Sequence, residues 1–504
     1  MASTLNYSKR NTTLVARKAL FSLLNDPHIR VDPTDKNLGI AVALTSSYNS
    51  ECLRHLRSST SREITEVEAN SRVRHVHEKA TVLLGSLFEP EDKEYKFALS
   101  SITPATSVFG FFSIIWKVHK KIVVGRPLIA PVKYITTPIS KLLDSILRPV
   151  VNQLSTVCKD SLSLINSLES LQFPDNCVLS SKDVTSLYPS IPIQDGCKRV
   201  ADVLYTLPSI IPARNVQFIV DLLMLVLLNN ICLFEGTLYL QLEGTAMGTS
   251  AAVCFAIIFM FSLENDLVTE YFNSGQLLFY TRFIDDIFSV FRSLLDARSF
   301  WIRFSAIHPN IVLTGEDAAT SIDFLDLTIY KGPLFSCHNK LDFRLFQKHL
   351  NNYLYLPYSS YHEPSTRVSF VLNELRRYAV RSCLESLFIP LKYLFLERLK
   401  CRGFPYQFLR PLFRKVGWSS RVAILHKAAA PKAIDRRPPV FSIPWNPLSD
   451  AMDFRTLLRK HWTVITNDPI LNTVFTRPPL VAFKRSANIA SLINNIQNSS
   501  GPPG

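Results

Sequence analysis

The stretch from Leu277 to Phe291 sets two short apolar runs around an acidic pair, Asp285-Asp286. Both runs are rich in aromatic and β-branched residues, which predicts strand, tight turn, strand, with the carboxylates at the turn. Adjacent carboxylates repel, so holding them between apolar strands calls for a compensating cation. Oxygen donors suit Mg²⁺. The plainer alternative is a solvated acidic turn, and the pair alone does not separate the two.

The 504 residues are 47% hydrophobic and carry a formal net charge of +15. Length and composition suit about two to four packed units without a disorder bias. The charge points to a polyanion, nucleic acid first and a membrane surface second. Between Arg376 and Arg437 stand 15 Lys and Arg against 3 Asp and Glu, so one segment carries most of that affinity. Nine cysteines without a Cys-x-x-Cys argue against a disulfide framework and for a reducing compartment. Met1 to Thr4 opens no apolar signal region, so secretion is not expected. Gly244 to Leu263 is free of charge, but its continuous apolar part, Ala251–Phe261, has the length of a buried core helix rather than a bilayer crossing.

Other segments carry weaker signals. Asp32 to Val42 reads as a turn feeding a strand, and Tyr48 to Val67 as one helix with Leu53, Leu56 and Ile64 on a side. Ser113 to Ile129 reads as two strands joined by a basic turn, with Lys117, His119 and Lys121 alternating to one side and Arg126 on the second strand. Such a hairpin suits a triphosphate, with Lys as a point charge and Arg as a planar fork; it is equally a solvated basic turn. Thr137 to Ser155 is an amphipathic helix. Val178 begins a strand ending at Asp183, and Pro189 and Pro192 bar a long element beyond. Asp183 fits either a metal site shared with Asp285 or a helix cap. Asn215 to Leu228 is an apolar helix, followed by a hairpin across Glu235-Gly236-Thr237. Gly244 and Gly248, four apart before an apolar helix, allow close backbone approach to a ligand or simple packing. Ile311–Leu313 and Asp323–Tyr330 read as two more strands. A basic helical run follows Pro364 until Arg402-Gly403-Phe404-Pro405, and 430–448 reads as a Pro-rich linker before an apolar, basic region at 454–493.

The order of these pieces resembles that of palm-domain polymerases, and among them reverse transcriptases. Trp116-Lys117-Val118-His119-Lys120 with Gly125-Arg126-Pro127-Leu128, Asp183-Val184-Thr185-Ser186-Leu187-Tyr188-Pro189, Gly244-Thr245-Ala246-Met247-Gly248 and Arg282-Phe283-Ile284-Asp285-Asp286 look like signatures of Penelope-like retroelements. Phe324-Leu325-Asp326-Leu327, Gln347-Lys348, Ser360-Tyr361-His362, Arg402-Gly403-Phe404-Pro405, the early Asp35-Lys36-Asn37-Leu38-Gly39 and the late Phe483 to Ile489 continue the similarity. Trp116, Thr249-Ser250 and Phe283 depart from that pattern without removing a metal ligand. Members of the group often carry a GIY-YIG endonuclease after the polymerase; this chain stops at Gly504, so it resembles the endonuclease-lacking branch or a truncated copy.

The resemblance implies an α/β (α+β) right-hand polymerase with an antiparallel palm sheet, fingers and a helical thumb. The divisions expected are 1–100, an N-terminal extension; 101–350, fingers and palm; 351–430, a basic thumb; and 431–504, a linker and C-terminal extension. It implies an RNA-directed DNA polymerase using two Mg²⁺ ions, with Mn²⁺ as a substitute. Asp183 and Asp285 are the expected metal ligands, with the Val184 carbonyl adding one and Asp286 auxiliary. Lys117 and Arg126 neutralise the incoming triphosphate. Gln241 and Gly244 line the template–nucleotide side, and Tyr188 is a steric gate against the ribose 2′-hydroxyl. Lys348, Arg376, Arg377 and Arg381 hold the nucleic acid. The implied partners are an RNA template, a DNA primer and dNTPs, with a separate endonuclease or a free DNA 3′ end for priming, in the nucleus and without a membrane. The rivals are a decayed nucleic-acid-binding relic of the same fold, an RNA-dependent RNA polymerase and a membrane protein. Tyr188 and the absence of Gly before Asp285 disfavour the RNA polymerase.

Overall fold

Hairpins and apolar helices predicted from the sequence assemble around two antiparallel-rich sheets. The structure, a computed structural model, describes residues 13–87, 92–131, 133–348, 351–360, 362–429, 440–445, 454–475 and 477–484. The chain divides into two compact units: 27–351, and 1–26 with 352–500.

In the first unit, strands β1 (Ile29–Pro33) and β2 (Ile40–Leu44) pair as a ribbon. A five-stranded sheet has the order β3-β8-β7-β4-β5, from β3 (Ser61–Ile64), β4 (Gly110–Trp116), β5 (Gly125–Ala130), β7 (Ile231–Phe234) and β8 (Thr237–Gln241). The β7–β8 turn puts Glu235 and Gly236 at φ 46° and 79°, the left-handed pair that a two-residue hairpin requires. The second sheet has the order β11-β6-β10-β9 and is antiparallel throughout. Its strands are β6 (Val178–Val184), β9 (Leu277–Phe283), β10 (Asp286–Phe291) and β11 (Leu313–Ala319). A small sheet of β12 (Ser321–Phe324), β13 (Leu327–Tyr330) and β14 (Asp342–Leu345) follows.

One apolar core joins the four-stranded sheet to helices Thr137–Val151, Ile193–Tyr205, Ala213–Leu228, Ala252–Asn273 and Leu294–Ile307. Phe300 sits inside it, fully buried, with its ring 4.8 to 6.1 Å from those of Trp301, Tyr271, Phe291, Phe304 and Tyr280. Trp301 anchors its helix to the sheet by donating Nε1–H to Ser180 Oγ at 2.9 Å. The Ala252–Asn273 helix is long and apolar enough to cross a membrane, yet 67% of its apolar window is buried within the protein.

Several expectations need correction. Tyr48–Val67 is not one helix: it is helix Thr45–Leu56, strand β3 and the start of helix Glu66–Leu87. Ser58 and Ser61 hydroxyls donate to the His55 and Leu56 carbonyls and close the first helix, and β3 then pairs with β8. Lys117, His119 and Lys121 do not alternate along a strand, because β4 ends at Trp116 and they lie in its loop. Asp323–Tyr330 is split by a turn with Leu325 at φ 56°, giving the β12–β13 hairpin. The strand after residue 311 begins at Leu313. The apolar helix runs on past Phe261 to Asn273, because the charge of Glu264 is matched inside the core. In the 430–448 linker, 430–439 and 446–448 lie outside the described residues, and Val440–Pro444 (β15) pairs in parallel with Leu480–Lys484 (β16). Tyr361 and 485–489 of the family-like stretches also lie outside them.

The second unit is mainly helical. Helices Pro364–Val380, Glu385–Cys401 and Tyr406–Lys415 pack around Phe395, whose ring meets Tyr355, Tyr378, Phe413 and Phe370 at 5.3 to 6.1 Å.

Phe300→Ala should cost about 3–5 kcal/mol, since it removes a whole ring from a core with little room to collapse. Urea unfolding followed by far-UV dichroism checks this; an unchanged midpoint would contradict the packing.

Candidate active site

The turn between β9 and β10 consists of Ile284 and Asp285, and Asp286 opens β10. Ile284 is left-handed, at φ 59°. Across the sheet, Asp286 stands opposite Asp183 in the β10–β6 register. The Val184 N–H donates to the Asp285 carbonyl at 3.0 Å, tying the turn to the end of β6. Strand pairing thus brings Asp183 together with the adjacent Asp285-Asp286 pair, over 100 residues later in sequence, at one end of the two inner strands of the sheet. All three, with Val184, line a cleft of ≈ 660 Å³.

The crowding shows in the electrostatics. Burial, and then the charge of Asp285, raise the Asp183 carboxyl above its ordinary range. Burial, then the charges of Asp285 and Asp183, push Asp286 up to about 6. Among the described residues no group of three or more His, Cys, Asp or Glu forms a ready-made metal cage. Mg²⁺ does not need one: it keeps waters and binds through one or two carboxylates plus substrate phosphates. A crowded set of oxygen donors, Asp183 exposed and Asp285 and Asp286 half-buried, fits such an ion, whose charge would relieve the repulsion.

Cationic side chains cluster on part of the remaining lining. Lys117 and Arg126 line it, as does Lys348, which the resemblance placed with the nucleic-acid-binding residues; Lys36, Lys120 and Arg54 join them without having been expected there. Arg126 pairs with Asp35 at 3.3 Å. Lys36 follows in a short 3₁₀ turn at φ 63°. Burial, and next Lys348, lower the Lys36 ammonium; burial, and next Arg126, lower that of Lys117. The usable signal was Asp35-Lys36, which no hydrophobic period marks.

Tyr188 lies in the helical turn Leu187–Ser190, half-buried on the cleft wall, its hydroxyl pushed up by burial and then by Asp285. Gln241 also lines the cleft; it accepts from Asn230 at 2.6 Å and donates to the Glu243 carbonyl at 2.8 Å. Gly244 is not among the lining residues. It packs behind the wall, where an added Cβ would meet the Tyr188 carbonyl and Pro189 Cα at 2.5 Å. It sets the Tyr188 turn rather than touching the cleft. The neighbouring Thr245 hydroxyl is buried without a hydrogen-bond partner on the cleft wall.

Arg376, Arg377 and Arg381 belong to the second unit, on the Pro364–Val380 helix and at its C-cap. Arg376 is exposed, and Arg377 pairs with Glu374 at 3.0 Å.

No protein-family model and no curated protein sequence matches the chain. Solved structures do. Telomerase from Candida albicans, in complex with a fragment of telomeric RNA, aligns with TM-score 0.53 and 10% identity over 91% of this chain and 74% of its own. Apo telomerase from Candida tropicalis aligns at 0.45 with 10% identity over 84% and 77%. The RNA-dependent RNA polymerase of a human picobirnavirus aligns at 0.43 with 10% identity over 82% and 88%. The last two scores are too low to carry weight. The first shows that the chain shares the fold of that telomerase, with mixed α/β architecture and an antiparallel central sheet.

The raised Asp286 gives a signed expectation. Between about pH 4 and 6 the metal-free fold holds a proton that the unfolded chain has released, so stability falls as pH rises through that window. Discounted for solvent screening, the loss is about 1–2 kcal/mol. Asp286→Asn should flatten the profile in urea titrations with a chelator present, and an unflattened one would contradict the crowding.

Proposed function

We propose that this chain is an RNA-directed DNA polymerase of the Penelope-like kind, joining deoxynucleotides to a primer 3′-hydroxyl on an RNA template. One observation carries the reading: Asp183, Asp285 and Asp286 meet on one floor of a cleft with a cationic wall. Asp183 and Asp285, with the Val184 carbonyl, would hold two Mg²⁺ ions, and Asp286 would assist. Bound there, Mg²⁺ supplies activation of the primer hydroxyl and neutralisation of the leaving pyrophosphate. Mn²⁺ would substitute.

The chain's own residues do the rest. Lys117, Arg126, Lys36 and Lys348 bind the triphosphate and hold its α-phosphorus in line with the 3′-oxygen. The new P–O bond forms as the α–β bridging bond breaks; the 3′-hydroxyl proton passes to solvent water, and pyrophosphate leaves with its negative charge. Tyr188 occupies space that a ribose 2′-hydroxyl would need, with Gly244 fixing its turn from behind. The exposed Arg376 and its neighbour Arg377 contact phosphates without reading sequence. Primer 3′ ends come from a separate endonuclease or from free DNA ends, and the expected site of action is the nucleus.

Primer extension on an RNA template with Mg²⁺ and dNTPs tests this. Asp183→Asn or Asp285→Asn should lower the rate by on the order of 10²–10³-fold, the loss of several kcal/mol of charge stabilisation. Full activity in either variant would sink the assignment. Salt-sensitive duplex binding without extension by wild-type protein would leave the decayed relic.

Tyr188→Ala should raise ribonucleotide use by about tenfold, worth ~1.4 kcal/mol. Unchanged discrimination would remove the gate. Neutralising Arg376 and Arg377 together should reduce the salt slope of duplex binding by about 1.8, from roughly 0.9 per phosphate contact. An unaltered slope would clear both residues of contact.

A further inference from the structure

Arg282 is a fully buried cation three residues before Asp285, and it serves no role in the chemistry above. Its side chain and that of Glu264 are both 0% exposed. Arg282 Nε donates to Glu264 Oε2 at 2.7 Å and Nη2 donates to Oε1 at 2.8 Å, a two-pronged pair. Tyr280 donates to Oε2 at 2.8 Å and Thr156 donates to Oε1, so Glu264 is held from four sides. The guanidinium has donors left over. Nη2 also reaches the Ile257 carbonyl at 3.1 Å, on the Ala252–Asn273 helix, and Nη1 reaches the Ile284 carbonyl at 2.9 Å.

That last contact decides what the cluster is for. Ile284 is β-branched and sits at φ 59°, a conformation such residues rarely take and that persists only where the surroundings impose it. The Ile284 carbonyl belongs to the peptide that leads into Asp285. The backbone around Arg282 is clamped too: its N–H donates to the Thr156 carbonyl at 2.8 Å and its carbonyl accepts from Cys158 at 2.7 Å. A rigid path therefore runs from the core helix through Glu264 and Arg282 to the strained turn.

We infer that Arg282, oriented by Glu264, is a positioning residue that holds the Ile284 turn in its left-handed form and so aims the Asp285 carboxylate into the cleft. Lysine cannot reproduce this, because one ammonium cannot span Glu264, Ile257 and Ile284 at once. The inference rests on the functional reading for its consequence, but the lock itself is a property of the metal-free fold.

The test uses Arg282→Lys in the full chain, with three readouts. In metal-free protein, amide exchange at Asp285 and Asp286 should speed up at least about tenfold while the centre of β10 stays protected. Mg²⁺ binding, read by calorimetry, should weaken about 10- to 100-fold, as losing a group that orients a metal ligand does. Primer extension should lose kcat and demand more Mg²⁺, with KM for dNTP and affinity for duplex kept. A folded Arg282→Lys protein with wild-type exchange at the turn overturns the lock. Wild-type Mg²⁺ affinity despite faster exchange overturns its role in aiming Asp285.

Should Arg282→Lys lack a cooperative unfolding transition, Tyr280→Phe takes its place. It deletes one hydrogen bond to Glu264 and keeps the ring. Shifts of about two- to threefold in the same directions support the inference, and none overturns it. Wild-type protein that neither binds Mg²⁺ nor extends a primer contradicts the functional reading alone; the exchange readout still decides the lock.

Discussion

The site depends on one pairing, the antiparallel register that sets Asp286 of β10 against Asp183 of β6. A slip of one residue in either strand would turn one carboxylate to the opposite face of the sheet. The register is pinned from both sides. Ile287, Phe288, Val290 and Phe291 are fully buried, and the Ser180 hydroxyl receives Trp301 from the packed helix behind. The core therefore specifies the spacing of the carboxylates, and the carboxylates repel. Folding energy from apolar burial offsets that repulsion until a cation arrives.

Backbone strain also marks the places where the cleft is built. Non-glycine residues at positive φ include Lys36, Ser186 and Ile284. Each stands beside a group of the site: Arg126 with Asp35, the turn carrying Tyr188, and Asp285. Glycine serves where backbones nearly touch. Gly248, at φ 127°, would drive a Cβ to 2.0 Å from the Ile129 carbonyl, and Gly244 does the like behind Tyr188. These glycines shape the wall by letting the 244–249 loop press against β5 and the Leu187–Ser190 turn. The same loop leaves the Thr245 hydroxyl facing the cleft unpaired.

Much of this was legible in the sequence, for physical reasons. The acidic hairpin, the β7–β8 hairpin and the apolar helices announce themselves through period and turn chemistry, which act locally. The carboxylate trio was readable because each carboxylate interrupts or ends an apolar strand. What stayed hidden was settled by tertiary contacts. Ser61–Ile64 extends its neighbours' helical pattern, yet β8 claims it as an edge strand. Lys36 and Lys120 lie in loops without a period, and only folding brings them beside Lys117 and Arg126. Gly244 was read as a ligand-side glycine; only the close approach of Pro189 shows that it packs from behind. Arg282 was legible as part of a motif, but its burial against Glu264 was not.

The central claim is that these carboxylates hold the ions of a nucleotidyl transfer. The most direct measurement is Mn²⁺ anomalous diffraction from crystals with an RNA–DNA primer–template and a non-hydrolysable deoxynucleotide. The account predicts two peaks about 4 Å apart, both touching Asp183 and Asp285, with the triphosphate on Lys117 and Arg126. A triphosphate bound elsewhere, or a cleft with nucleotide but without Mn²⁺ at these carboxylates, would contradict it.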